Sequence, residues 1–272
     1  MQSEELRNIN SPDTEALWRL VRPSTGAVDE VRATARGNSS DVTALVACES
    51  GPVFVKACHN QPGGRRASLI RERLVNPYVR TVSPALRWQA EDDGWIALGF
   101  EVVEGRSADF TPGSPDLPAV VDVLNRIGEL PLPPEAHDWP ETRWNRYAEE
   151  ADAPLFEGRT LLFTDINPDN VMIGDDRTWA VDWSWPTRGA TFIDPACLVI
   201  QLIAAGHSAN EAESWAAHCT AWSETDGEAI DAFCTASLRM HRTFAERSPE
   251  ASWIRKMAEA AESWSRHRCV TG

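Results

Sequence analysis

Apolar and polar positions follow one rhythm over the first hundred residues and another after them. Val42 to Ala47 and Val53 to Ala57 are short apolar runs joined by Glu49-Ser-Gly-Pro, a turn sequence, so they predict a hairpin. Leu86 to Ala90 and Trp95 to Val103 repeat the arrangement around Glu91-Asp-Asp-Gly94. Between the hairpins, after the flexible Gln61-Pro-Gly-Gly64, a helical pattern over 67–80 places Leu69, Ile70, Leu74 and Val75 on one side. Ahead of them, Ser11-Pro12-Asp13 reads as a cap and a Pro at the first helical position of a short helix. Past residue 105 the helical period dominates. Helices are predicted over 117–128, 139–151, 195–205, 208–222, 227–246 and 249–268, with Asp194 as the cap of the third. Trp215, Trp222, Phe233, Trp253 and Trp264 are read as packing residues of the last three. The pattern is α+β, with a small antiparallel sheet and one helix in 1–104 and a mainly helical 105–272.

Three short apolar runs interrupt the helical part: Thr160 to Phe163, Val171 to Ile173 and Trp179 to Val181. The loop between the first two holds Asn167-Pro168-Asp169, which favours a turn and cannot continue a ladder. Strands on either side would hold Asp165, Asn170 and Asp182 close together at one end of a small sheet. That set suits phosphoryl transfer: one carboxylate orients the attacking hydroxyl, while an amide oxygen and a second carboxylate hold magnesium on the phosphates. Asp and Asn in turns often do no more than make turns, so the other parts of the chain must decide.

Asp165-x-x-x-x-Asn170 followed by Asp182 resembles the catalytic loop and metal-binding Asp of the kinase-like phosphotransferases. Asn-Pro-Asp-Asn at 167–170 and Val-Asp-Trp at 181–183 are more similar to the aminoglycoside phosphotransferase family than to protein kinases. The resemblance covers about residues 30 to 205 and implies a two-lobe fold that uses ATP and magnesium. It makes Asp165 the catalytic residue and Asn170 and Asp182 the metal ligands. Lys56, ending Val53-Phe-Val-Lys, would hold the phosphates, and Glu72, in the helix that follows, would be its ion-pair partner. The loop Arg36 to Asp41, with Ser39 and Ser40, would cover the phosphates. The carbonyl of Glu101 and the N–H of Val103, just before the hinge Glu104-Gly105-Arg106, would meet the adenine edge. Asp194 would also brace the catalytic loop. Two positions depart from the family: Phe163 and Asn167 stand where histidines are common, two residues before and two after Asp165.

Composition narrows the partners. The formal charge of −15 argues against nucleic acid and anionic membranes. No apolar run approaches a membrane span, the first residues have no apolar signal region, and the six Cys are scattered. A cytoplasmic protein with reduced thiols is expected, its oligomeric state open. Residues 1–104 carry 14 acidic and 12 basic side chains, and residues 105–272 carry 27 and 14. Stretch 189–238 has no Lys or Arg, but contains Asp194, Glu211, Glu213, Glu224, Asp226, Glu228 and Asp231. The expected activity is phosphorylation of a small hydroxylated molecule, first an amino-bearing, aminoglycoside-like antibiotic. A solvated acidic face explains the charge equally well. A neutral or nucleoside-like acceptor, stacked on some of the twelve Trp, and a nucleotide-binding protein without turnover stay open. The short stretch between Asp182 and Asp194 leaves no room for the activation segment of a protein kinase.

Overall fold

The computed structural model describes residues 12–34 and 40–271 and divides into two compact units. The first is Met1–Gly105 with Val181–Trp185, and the second is Arg106–Ala180 with Pro186–Gly272. In the first, α1 (Pro12–Thr25) leads to β1 (Val28–Ala33), β2 (Val42–Cys48) and β3 (Val53–His59). Then come α2 (Gly64–Val79), β4 (Leu86–Glu91) and β5 (Trp95–Phe100). The sheet is antiparallel, in the order β1-β2-β3-β5-β4. Both predicted hairpins form, and Gly51, at φ +95°, takes the left-handed turn position between β2 and β3. β5, apolar at every position but Gly99, is buried along its whole length between β3 and β4. A side chain on Gly99 would collide with the Trp88 ring.

The strand period of two decides what each face carries. Val53, Val55 and Ala57 point to one face, where α1 closes the core with Leu17, Val21, Val42, Trp95 and Ala97. Phe54, Lys56 and Cys58 point to the other, where Leu69 of α2 packs with Ile96, Leu98 and Phe100. Alternation alone therefore sends Lys56 toward α2. β5 stops at Phe100, three residues short of the predicted end, and the N–H of Glu101 makes one more bond, to the carbonyl of Ala85.

The second unit contains the predicted short strands β7 (Thr160–Leu162), β8 (Val171–Ile173) and β9 (Thr178–Ala180). β8 lies between β9 and the two-residue β6 (Arg106–Ser107). β7 pairs with β10 (Thr187–Gly189), which the polar, turn-rich stretch after Asp182 did not predict. The helices are α3 (Leu117–Gly128), α4 (Ile193–Ala204), α5 (Ala209–Ala216), α6 (Thr220–Ser223), α7 (Gly227–Arg247) and α8 (Ser252–Thr271). Phe233 of α7 is central, its ring in contact with Trp144, Phe156 and Phe192. Among the described residues no helix is long and apolar enough to cross a membrane.

Three helix predictions fail for identifiable reasons. The helix expected over 139–151 is replaced by a short 3₁₀ turn at Asn145–Tyr147, and another follows at Ala153–Phe156. There the Trp139 carbonyl and the Glu141 N–H pair with Arg188 instead of completing helical turns. The helix expected over 208–222 breaks into α5 and α6 because Asn125 of α3 enters the gap. Its Nδ2 bonds the His218 carbonyl at 3.1 Å, and its Oδ1 accepts from the Thr220 N–H at 3.0 Å. Asp194 does not cap α4, whose cap is Phe192, because its carboxylate is committed elsewhere. Ser11, the predicted first cap, lies outside the described residues.

Candidate active site

Lys56 is a buried cation of the first unit. Its Nζ lies 2.8 Å from Glu72 Oε1, 3.0 Å from Glu72 Oε2 and 2.9 Å from Asp182 Oδ1. Lys56 and Glu72 are each only 5% exposed. Burial disfavours the charge on Lys56, but Glu72 and Asp182 overcome it and raise its pKa. Burial likewise works against the Asp182 charge, and Lys56 and the Ser184 hydroxyl outweigh it, holding the carboxyl below its ordinary range. One lysine between two carboxylates leaves the trio with a net negative charge in a largely dry place. Asp182 has φ +66°, a left-handed conformation that Asp tolerates better than most residues.

In the second unit the loop after β7 is held from behind. Asp194 Oδ2 accepts from the Phe163 N–H at 2.9 Å, and Oδ1 accepts from the Thr164 N–H at 2.7 Å. Thr164 sits at φ +59°, a conformation that is unfavourable for a β-branched residue. Its hydroxyl also meets the guanidinium of Arg143, which is clamped on the buried Glu141, and Glu141 accepts from Thr187 Oγ1 at 2.8 Å. This network fixes the backbone immediately before Asp165, whose side chain is exposed. Glu141, Arg143, Thr164 and Thr187 were missed in the sequence. Their partners lie 21 and 46 residues apart, so no local spacing announces them.

Asn170 donates Nδ2 to the Asp165 carbonyl at 3.0 Å, which leaves its Oδ1 as the oxygen for a cation. Asp182 receives both Lys56 and Ser184 on Oδ1. No group of three or more His, Cys, Asp or Glu able to hold a metal occurs among the described residues. Magnesium needs no such cage, since one or two protein oxygens together with phosphate and water complete its shell. Asn170 Oδ1 in the second unit and the Asp182 carboxylate in the first are each oxygens of the kind magnesium takes. At the predicted adenine contact, the Glu101 carbonyl and the Val103 N–H have no hydrogen-bond partner among the described residues. Ser40 is buried, and its hydroxyl likewise lacks a partner among the described residues. Ser39 lies outside the described residues.

No family model matches the sequence, and no curated protein matches it. Solved structures do match. Choline kinase LicA from Streptococcus pneumoniae superposes with a TM-score of 0.64 at 12% identity, covering 94% of this chain and 100% of its own. A putative aminoglycoside phosphotransferase from Ralstonia eutropha gives 0.62 at 12% identity, covering 94% and 98%. An aminoglycoside phosphotransferase from Streptomyces rimosus, in complex with ADP and streptomycin, gives 0.57 at 15% identity, covering 91% and 99%. The fold is protein-kinase-like.

The acidic stretch serves largely the chain's own structure. Asp194 braces the loop, Glu211 closes a capping box with Ser208, and Asp226 caps α7. Glu213 is paired with Arg268 and accepts from Trp264 Nε1, while Asp231 is also paired with Arg268. Five of the seven carboxylates in 189–238 are thereby engaged, and the basic partner comes from outside the stretch. Glu224 and Glu228 have no ion-pair or capping partner among the described residues.

The loop brace carries a pH signature. Burial pushes the Asp194 carboxyl up to about 6, against the two backbone N–H bonds that favour its charge. Its folded pKa therefore lies above its unfolded one, so between about pH 4 and 6 the native state holds a proton that the unfolded chain has lost. This group's contribution to stability falls as pH rises through that window. Relative to Asp194→Asn, the wild type should gain roughly 1–2 kcal/mol between pH 7 and pH 5. Urea unfolding of both proteins at the two pH values measures it, and a pH-independent difference would show that Asp194 titrates normally.

Proposed function

We propose that the protein transfers the γ-phosphoryl group of ATP to a hydroxyl of a small molecule. The observation that carries this reading is the buried Lys56 shared by Glu72 and Asp182 in a chain of kinase-like fold. The acceptor oxygen forms the new bond to phosphorus, the bond to the β-phosphate oxygen breaks, and ADP leaves. Asp165 accepts the hydrogen bond of the acceptor hydroxyl, orients it and receives its proton. Lys56 steadies the phosphates, and Glu72 keeps the lysine extended and charged. Glu101 and Val103 offer one acceptor and one donor to the adenine edge. Asn170 and Asp182 would hold magnesium, which when bound neutralises phosphate charge and aligns the phosphoryl group. Reduced, unpaired cysteines and the use of ATP fit a cytoplasmic enzyme.

The experiment is a screen of purified protein, ATP and magnesium against hydroxylated antibiotics and metabolites, scored by an added phosphate in mass. A product from at least one acceptor is expected. ADP binding with no product and no ATP consumption would instead identify a nucleotide-binding protein without turnover.

The first acceptor class to test is an amino-bearing, aminoglycoside-like antibiotic, which would make the protein a resistance or self-protection factor. Its electrostatic support rests on Glu224 and Glu228, because the other carboxylates are engaged. If the acceptor is a cation drawn by that face, kcat/KM should fall steeply from low to physiological salt. Glu224→Lys with Glu228→Lys should flatten the slope. A salt-independent kcat/KM would instead favour the neutral or nucleoside-like acceptor.

A further inference from the structure

Asn167 stands where a histidine is common in the family that the loop resembles, and all the hydrogen-bonding atoms of its side chain are committed within that loop. Its Nδ2 donates to Asp165 Oδ1 and to the Asp165 carbonyl, each at 3.1 Å. Its Oδ1 accepts from the Asp169 N–H at 2.9 Å and from the Asn170 N–H at 3.2 Å. The oxygen side makes an Asx turn, which is the ordinary work of Asn before Pro. The donor side does something a turn does not require: it holds one oxygen of the carboxylate of Asp165.

We propose that Asn167 is a positioning residue for the phosphoryl transfer inferred above. It aims the Asp165 carboxylate through Nδ2 and fixes the backbone that presents Asn170 through Oδ1. An exposed aspartate rotates freely about its side-chain bonds unless something restrains it, and one restraint here comes from two residues along the chain. A single amide thus ties the group that faces the acceptor to the one that faces the cation. Asn carries no charge at any working pH, so this donor stays in place where an imidazole would change its protonation state. The inference rests on the proposed function for its catalytic meaning, but the geometric claim stands by itself.

The two halves of the amide can be separated. Asn167→Asp keeps an oxygen for the N–H groups of Asp169 and Asn170, so the turn survives. It removes the donor and sets a second carboxylate against Asp165. The expected result is a kcat lower on the order of 10- to 100-fold with KM for ATP unchanged, since a misaimed group is lost and the nucleotide contacts are not. Asn167→Ala removes both halves and should also raise KM for ATP. A role confined to the turn predicts near wild-type kcat in Asn167→Asp, and that outcome overturns the inference. Crystal structures of the wild type and Asn167→Asp give a reading that needs no activity. The turn at 167–170 should superpose while the Asp165 carboxylate leaves its wild-type rotamer, and an unmoved carboxylate overturns the inference. If the wild type phosphorylates nothing in the screen, the functional reading falls, and the carboxylate rotamer still decides whether Asn167 positions Asp165.

Discussion

Asp165→Ala is expected to lower phosphoryl transfer at least about 10²-fold and to leave ADP affinity at the wild-type value. The loop gives the reason for both halves. The strained backbone at Thr164, φ +59°, is held by Asp194 and Arg143. Truncating an exposed carboxylate leaves that brace intact, so the loop and the fold should persist. In the proposed reading nucleotide binding draws on Lys56 and the Glu101–Val103 segment, not on Asp165. What disappears is the acceptor for the hydroxyl proton. Asp165→Asn is the sharper version, since it keeps the shape and removes only the charge. Product formation by mass and ADP binding by calorimetry, on the same preparations, make the comparison. Turnover near wild type in Asp165→Ala would remove Asp165 from the chemistry.

The contrast between the lysine pair and the loop brace explains what could be read from the chain. Lys56 and Glu72 were legible because each obeys a local period. Strand alternation sends Lys56 to the α2 face with Phe54 and Cys58, and Glu72 lies within the helical pattern that covers that face. The loop at 164–170 was legible because Asn-Pro-Asp is strong turn chemistry between two apolar runs. The brace was not legible. Arg143 meets Thr164 and Thr187 meets Glu141 only after β10 has paired with β7, and β10 itself is three residues with no apolar alternation. The same limit applies to the false helix at 139–151, where backbone pairing with Arg188 overrides propensity, and to the break between α5 and α6, where Asn125 supplies the competing bonds. The acidic stretch was misleading for a related reason. A window that contains no cation says nothing about cations supplied by a distant helix, and Arg268 of α8 satisfies two of its carboxylates.

Asp182→Asn should separate cation binding from folding, because of how charge is balanced around Lys56. In the wild type one ammonium serves two carboxylates, and the excess negative charge is what a divalent cation would compensate. Removing the Asp182 charge leaves Lys56 and Glu72 as a neutral, doubly hydrogen-bonded pair, with Nζ 2.8 and 3.0 Å from the two Glu72 oxygens. The thermal midpoint should therefore change little. Lys56→Ala does the opposite and strands two carboxylates without their cation, one of them only 7% exposed at its side chain. A buried charge that loses its partner typically costs about 3–5 kcal/mol, so this variant should unfold at clearly lower denaturant. On the functional side, Asp182→Asn should make ADP affinity insensitive to magnesium and lower transfer at least about 10²-fold. ADP titrations with and without magnesium, beside denaturant unfolding of both variants, test the two halves together. If Asp182→Asn retains the magnesium dependence of ADP binding, Asp182 is not the metal ligand, and the trio is a structural ion cluster under the sheet.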